Sequence, residues 1–163
     1  MILSTHAVVG AALASLMPSH PVAAFVAGFA SHFVIDSIPH WDYPLRSISL
    51  GPGARNNVRM SSARIRDLAV IGFDGFAGLV LATAIFGTEA NLVAVLAGAV
   101  GGILPDPLKF AHTLYPCEPL ATLERFHTWI HSNRKLDWPL GVSSQIAFAS
   151  AVIGAVVAAR LVN

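Results

Sequence analysis

Two histidines and two aspartates that can bind a metal ion lie close together in the first third of the chain. The segment SHFVIDSIPHWDYP contains His32, Asp36, His40 and Asp42 directly after an apolar run. In a helix, His32 and Asp36 lie one turn apart on the same face, and Pro39 ends that helix. Imidazole and carboxylate groups at the end of a helix that is apolar enough for a membrane cost free energy unless they have a partner. We therefore expect half of a metal site here, with His40 and Asp42 in a supporting role.

A second set of candidate ligands precedes the last apolar segment. In FHTWIHS, His127 and His131 are four residues apart, and Glu124 precedes His127 by three. On a helix these three residues share one face, and HxxxH is a common way to offer two imidazoles to one cation. Cys117 is the one cysteine of the chain, so thiolate chemistry is disfavoured. Imidazole and carboxylate ligands favour zinc, with manganese or iron as alternatives.

Three further ionisable residues complete the predicted set of ligands. Asp74 lies inside a predicted apolar helix, where an unpaired carboxylate costs several kcal/mol. His6 falls in the first turn of the first predicted helix, and Asp106 follows a Leu-Pro turn. The predicted metal ligands are therefore His6, His32, Asp36, Asp74, Asp106, His127 and His131.

The elements that must position these residues are apolar helices. Of the 163 residues, 55% are hydrophobic and 12% are charged, whereas about a quarter of a soluble domain is charged. We expect an all-α, polytopic membrane bundle of about five membrane helices with one amphipathic cytoplasmic helix. The predicted single domain, residues 1–163, comprises a first helix pair (4–37), a second pair (63–107), the amphipathic helix (119–133) and a last membrane helix (139–160).

Basic residues predict the orientation of the bundle. With five membrane helices, nine of the ten Lys and Arg residues lie on the side of the N-terminus, and Arg160 lies opposite. The positive-inside tendency makes that side cytoplasmic. We therefore expect a multi-pass protein of the inner, cytoplasmic membrane with its site on the cytoplasmic side.

The two predicted helix pairs resemble each other, which indicates a tandem duplication. Ala27-Gly28 precedes Asp36 by the same step that separates Ala97-Gly98 from Asp106. His6 aligns with Asp74 in the same comparison. Coincidence among membrane helices rich in Gly and Ala is the alternative interpretation.

Short motifs resemble a known family. THAVVG near the N-terminus, the Gly102-Ile103-Leu104-Pro105-Asp106 turn and FHTWIHS resemble the YdjM-like, membrane-bound, predicted metal-dependent hydrolases of bacteria and archaea. His32 to His40 also looks like the His-x3-Asp, Pro, His pattern of zinc-dependent phospholipase C and related nucleases. There the spacing to the last His is longer, and a His-x3-Glu pair occurs instead of His-x3-His. The resemblance implies a zinc-type hydrolase acting on a phosphoester or another polar group at the membrane surface.

We therefore expect a membrane hydrolase with one or two divalent metals at the cytoplasmic ends of the first four helices. The metal would lower the pKa of a bound water toward ~7 and polarise the scissile group, and Asp42 or Glu124 would act as the base. Arg55 or Arg59 is the candidate for holding a phosphate. Expected partners are the lipid bilayer and a phospholipid or lipid-linked phosphate, with no nucleic acid; the oligomeric state is left open.

Two other functions remain as alternatives at this stage. A divalent cation transporter would also keep His and Asp in its membrane helices, but the predicted opposite side offers only His20 and Glu89. A non-enzymatic membrane scaffold would use the polar cluster only to hold its helices together. Zinc or manganese uptake into proteoliposomes would favour the transporter, and a protein that purifies without metal would favour the scaffold.

Overall fold

The chain folds into helices connected by loops. A computed structural model describes residues 1–50 and 54–162, which form seven α-helices and no β-strand. The helices are α1 (Leu3–Ala14), α2 (Pro21–Asp36), α3 (Ser62–Phe86), α4 (Leu92–Ile103), α5 (Pro105–Leu114), α6 (Leu120–Ile130) and α7 (Trp138–Val162). The prediction of an all-α protein is confirmed.

Helix α1 lies at the centre of the molecule. Ten of its 12 residues are buried, and it packs against α2, α3, α4 and α7. Small side chains such as Ala7 and Ala11 allow this close packing, and larger ones such as Phe86 and Val95 fill the space around them. Because α1 is buried on all sides, a polar residue on it such as His6 can only face other protein groups.

Two helices are long and apolar enough to cross a membrane, namely α3 and residues Trp138–Leu161 of α7. The pair α4 and α5, which is bent by 43°, gives a third candidate if it acts as one span. At ~1.5 Å per residue, α1 and α2 are only about 18 and 24 Å long, against ~30 Å for a hydrocarbon core. The structure therefore supports membrane association, with two to three candidate spans instead of the five that the sequence predicts.

Helix α5 was not predicted from the sequence. We expected a turn at Pro105-Asp106-Pro107 followed by a polar segment, but α5 begins at Pro105. Proline is tolerated in a first helical turn because the N–H groups there lack intrahelical partners. The two prolines therefore bend the chain between α4 and α5 without ending the helical path, and Asp106 lies in the first turn of α5.

Glycines set the distance between α2 and α4. A Cβ atom added at Gly28 would lie 2.1 Å from the Gly98 carbonyl oxygen, and one added at Gly10 would lie 2.2 Å from the same atom. No larger residue fits at either position without moving backbone. Gly28 and Gly98, which the predicted duplication aligns with each other, therefore lie in contact at this crossing.

Candidate metal centre

The last turn of α2 forms the middle of the candidate site. His32 Nε2 lies 3.2 Å from Asp36 Oδ2, as expected for residues four apart on one helix face. Both side chains are buried, at 0% and 1% exposure. A carboxylate removed from water to this degree needs a strong partner.

Two other helices add ligands to this pair. His127 on α6 places Nε2 3.2 Å from Asp36 Oδ2 and 3.4 Å from His32 Nε2. Asp106 on α5 places Oδ1 3.7 Å from His32 Nε2 and 3.8 Å from His127 Nε2. These four residues form what we call group A, whose ligand atoms all lie within 4.8 Å of one another. Ligands about 2.1 Å from a common point are roughly 3.4 Å apart in a tetrahedron, so the spacing suits one cation.

Hydrogen bonding of His32 supports a cation in group A. His32 Nδ1 lies 2.8 Å from the Gly102 carbonyl oxygen, which can only accept, so Nδ1 carries the proton. In the neutral ring, Nε2 then has a lone pair that faces Asp36 Oδ2 and His127 Nε2. With His32 neutral, a hydrogen on His127 is the one available to these three atoms, which is fewer than they can accept. A divalent cation satisfies all of them, and a backbone carbonyl that accepts the other ring N–H is usual for a metal-binding histidine.

Asp36 is also part of a second set of ligands. Asp36, His40 and His131 form what we call group B, with ligand atoms within 4.8 Å of one another. The Nε2 atoms of His40 and His131 each lie 3.8 Å from an Asp36 oxygen. His40 is buried at 1% exposure, and burial lowers the pKa of His131, which favours the neutral, metal-binding imidazole.

Backbone hydrogen bonds hold the residues after α6 against the end of α2. Ser132 donates its N–H to the Asp36 carbonyl oxygen at 2.8 Å, and Leu136 donates to the His40 carbonyl oxygen at 3.0 Å. His40 and Lys135 form an isolated parallel bridge. This pairing fixes the position of His131 relative to Asp36.

The structure divides the HxxxH pair between the two groups. Helix α6 ends at Ile130, and His131 has an extended backbone. The rings of His127 and His131 are therefore 5.8 Å apart and tilted by 36°. The sequence predicted one helix face that gives both imidazoles to one cation, but the helix ends before it can do so.

His6 contacts the centre without joining either group. Its ring stacks on His32 with centroids 4.0 Å apart, and its Nε2 lies 3.2 Å from Asp36 Oδ1. Neither ring nitrogen of His6 has a contact of hydrogen-bond geometry with the described residues. The Met1 ammonium also contacts Asp36 Oδ1. Nitrogen atoms therefore lie close to both carboxylate oxygens of Asp36.

Asp74 has a different role from the one we expected. Its Oδ2 accepts hydrogen bonds from the Ser4 N–H at 2.9 Å and from the Tyr43 hydroxyl at 2.6 Å. The Tyr43 oxygen in turn accepts the Leu3 N–H at 2.8 Å. Burial and the bond to Asp74 raise the pKa of Tyr43, so its hydroxyl stays protonated. Asp74 thus caps the N-terminus of α1; these donors compensate its carboxylate, and it lies outside groups A and B.

The remaining predicted residues lie at different distances from the centre. Asp42 is at its edge, with Oδ1 3.0 Å from His40 Nε2 and Oδ2 3.3 Å from Lys135 Nζ. Glu124 accepts a hydrogen bond from Thr128 at 2.8 Å and belongs to neither group. Arg55 and Arg59 are exposed and form no ion pair with the described residues.

A cavity of about 660 Å³ opens beside the two groups. Asp36, Asp106 and His131 line it, together with Asp42 and Lys135. Apolar side chains contribute an apolar wall, among them Leu45, Ile48, Leu68, Ile71 and Phe110.

Lys109 on α5 is the residue of this cavity that sequence reasoning missed. It lines the cavity, is buried at 9% exposure and forms no ion pair with the described residues. An ammonium without an ion pair beside a cavity can bind an anion there. The helical position of Lys109 three residues after Asp106 was the available signal, but it required the prediction of α5.

Together, the buried imidazole and carboxylate ligands of groups A and B can hold a divalent cation, and the donor set fits zinc, manganese or iron equally. The adjoining cavity can admit a molecule with one anionic and one apolar part. Comparison with family models, with curated proteins and with solved structures finds no match for this chain.

Proposed function

We propose that this protein is a membrane-embedded, divalent-metal-dependent hydrolase that acts on a phosphoester at the membrane surface. The observation that carries the proposal is that Asp36 and Asp106 of group A line a cavity that apolar side chains also line. Apolar side chains would serve packing alone better than buried imidazoles and carboxylates do. The buried cluster therefore supports a chemical role.

The cavity supports an amphiphilic substrate. Leu68 and Ile71 belong to α3, one of the two helices that are long and apolar enough to span a membrane. The apolar wall is therefore continuous with a candidate membrane-facing helix, and a lipid chain can lie along it. At the other end, Lys109 and Lys135 supply positive charge beside the candidate ligands. A phospholipid or a lipid-linked phosphate has an apolar chain and an anionic phosphate, which match these two parts of the cavity lining.

The proposed chemistry is hydrolysis, in which water adds to phosphorus and the bond to the leaving oxygen breaks. A bound divalent cation would supply Lewis-acid chemistry by polarising a phosphate oxygen and acidifying a water molecule. Asp42 lines the cavity and is 26% exposed, so it can accept the proton of the attacking water. Lys109 orients the phosphate, and the leaving oxygen takes a proton from solvent or from protonated Asp42. Glu124 lies outside the described cavity lining.

The finer membrane arrangement is also part of the proposal. Val22, Val26 and Val34 leave α2 with a strongly exposed apolar face, at 58–77% exposure, which supports contact with lipid. We propose that α1 and α2 lie within the bilayer beside the candidate spans, with the site on the cytoplasmic side. The positive-inside distribution of Lys and Arg supports this orientation in the inner membrane. We also propose membership of the YdjM-like family on the motif likeness.

Metal analysis and lipid hydrolysis by detergent-purified protein test the proposal. We expect at least one zinc, manganese or iron ion per chain, and its loss in His32→Ala and Asp36→Ala. His20→Ala is the matched control because His20 is exposed and lies in a loop at the start of α2. Mixed micelles of phosphatidic acid or phosphatidylglycerol should release phosphate or glycerol phosphate only with metal-loaded protein. Full metal content in both variants would overturn the site, and metal-loaded protein without hydrolysis of either lipid would overturn the reaction.

A further inference from the structure

Group B has features of a metal position that are independent of group A. His40 Nδ1 lies 2.7 Å from the Ile38 carbonyl oxygen, and His131 Nδ1 lies 3.0 Å from the Ser132 carbonyl oxygen. Because a carbonyl can only accept, each Nδ1 carries the proton. Each neutral ring then presents the lone pair of Nε2, and both of these atoms lie 3.8 Å from an oxygen of Asp36.

His40 is buried without a well-formed hydrogen bond at Nε2. It is 1% exposed, and although Nε2 lies 3.0 Å from Asp42 Oδ1, no contact of this nitrogen with the described residues has hydrogen-bond geometry. Buried polar nitrogen atoms are almost always hydrogen-bonded. The nearest acceptors, Asp42 Oδ1 at 3.0 Å and Asp36 Oδ1 at 3.8 Å, cannot donate a hydrogen to a lone pair when they are ionised. A cation in front of Nε2 removes this mismatch.

We infer that group B holds a second divalent metal ion and that Asp36 bridges the two metal positions. Its Oδ2 faces His32 and His127 of group A at 3.2 Å, while its carboxylate is shared with His40 and His131. The ion would have the imidazoles of His40 and His131 and the carboxylate of Asp36 as ligands. This inference rests on the proposed function for the purpose of the second ion, which is to bind a phosphate together with the first.

The surroundings of group B already hold positive charge. The Met1 ammonium contacts Asp36 Oδ1 and lies 3.6 Å from Asp42 Oδ1, and Lys135 lies 3.3 Å from Asp42 Oδ2. These ammonium groups neutralise carboxylate charge, and the contact of His40 Nε2 with Asp42 Oδ1 at 3.0 Å can do the same. Together they define the competing explanation, in which Asp36 and Asp42 are served without a second ion and one metal ion binds.

Metal stoichiometry of the full chain separates the two explanations. Purified protein is loaded with excess Mn²⁺, passed through a desalting column and analysed for manganese and protein. We expect two ions per chain in the wild type, one in His40→Ala, one in His131→Gln and none in Asp36→Ala. His20→Ala, outside both groups, should keep two. His131→Gln is included because His131 is half-buried and its replacement disturbs folding less than that of His40.

Electron paramagnetic resonance of the Mn²⁺-loaded protein gives a second readout. Two ions that share Asp36 should show an exchange-coupled spectrum, which His40→Ala and His131→Gln should each convert to the six-line spectrum of a single ion. One ion per chain in the wild type, unchanged in these two variants and lost in His32→Ala, would overturn the inference and leave the proposed function intact. No bound ion in any protein would overturn both.

Discussion

The Nδ1 atom of His32 lies 2.8 Å from the carbonyl oxygen of Gly102, so a backbone group of α4 decides which nitrogen of this histidine faces the centre. The proton on Nδ1 leaves Nε2 as an acceptor, 3.2 Å from Asp36 Oδ2. The Gly102 carbonyl reaches His32 because α1, α2 and α4 approach closely at glycines. Helix packing and ligand chemistry are therefore coupled at this point.

Gly102→Ala should reduce both stability and metal content. The added Cβ would lie 2.4 Å from the His6 carbonyl oxygen, so backbone must move, and overpacking of this kind costs about 1–3 kcal/mol. The shift also displaces the acceptor of His32 Nδ1. Gly154→Ala is the control, because nothing lies within 4 Å of a Cβ atom there. Thermal midpoints and bound metal per chain are measured in the same detergent; equal values for both variants would contradict the coupling.

Asp74→Asn should lower stability but keep the bound metal. Its carboxylate accepts two hydrogen bonds, from Ser4 and Tyr43, and bonds to a charged acceptor contribute about 1.5–3 kcal/mol each. Tyr43→Phe should have a similar but smaller effect because it leaves the Ser4 bond in place. Bound metal per chain and the thermal midpoint are measured for the wild type and both variants. Loss of metal in Asp74→Asn, with the fold intact, would restore the role as a ligand that the sequence predicted.

The part of the centre that sequence reasoning predicted correctly depends on local geometry. His32 and Asp36 are four residues apart on a helix, and that spacing alone places them side by side. Asp106 was selected because it aligns with Asp36 in the predicted duplication, and the structure brings the two into one group. The all-α fold was predicted from the composition and from the apolar runs of the sequence.

The part that could not be predicted depends on where helices end and what meets their ends. Helix α6 ends at Ile130, one residue before His131, and a period of 3.6 residues cannot reveal such an end. The carboxylate of Asp74 needs hydrogen-bond donors, and these can come from any neighbouring element. Spacing along the chain does not indicate that the N-terminus of α1 supplies them. Lys109 was missed because two prolines favoured a loop where α5 forms.

The count of membrane helices was overestimated for a physical reason as well. Apolar helices α1 and α2 have the composition of membrane spans but only 12 and 16 residues. Burial of α1 inside the bundle demands the same apolar residues as burial in lipid. Composition therefore cannot separate a helix that faces protein from one that faces lipid.

Phe126→Ala should weaken metal binding, although Phe126 is not a ligand. Its ring packs edge-on against Phe33 of α2 with centroids 4.9 Å apart, and this contact holds α6, and with it His127, against the site. Aromatic pairs contribute about 0.5–1.5 kcal/mol beyond area burial, so a roughly two- to tenfold higher Kd for Zn²⁺ is expected. Arg125→Ala on the same helix is the control, since the Arg125 side chain is 66% exposed and pairs with Glu118. Competition with a zinc indicator measures both, and equal Kd values would exclude this role.

Chelation should destabilise the wild-type protein reversibly. Without a cation, the buried Asp36 faces imidazole lone pairs, and binding to the folded state alone stabilises by about 4 kcal/mol at a thousandfold excess over Kd. EDTA should lower the thermal midpoint and added Zn²⁺ should restore it. Asp36→Ala should be insensitive to both additions because Asp36 belongs to both groups of ligands. A wild-type midpoint that EDTA leaves unchanged would show that the fold does not depend on a metal.

Lys109→Gln should raise KM for an anionic lipid substrate while leaving the bound metal in place. Lys109 is 9% exposed, forms no ion pair with the described residues, and lines the same cavity as Asp106. A charge-assisted hydrogen bond contributes about 1.5–3 kcal/mol, so KM should rise about tenfold or more. Arg59→Gln is the matched control, because Arg59 was the sequence-based candidate for phosphate binding but is exposed and outside the cavity lining. Steady-state kinetics on phosphatidic acid micelles compare the variants; a larger effect of Arg59→Gln would return phosphate binding to the loop before α3.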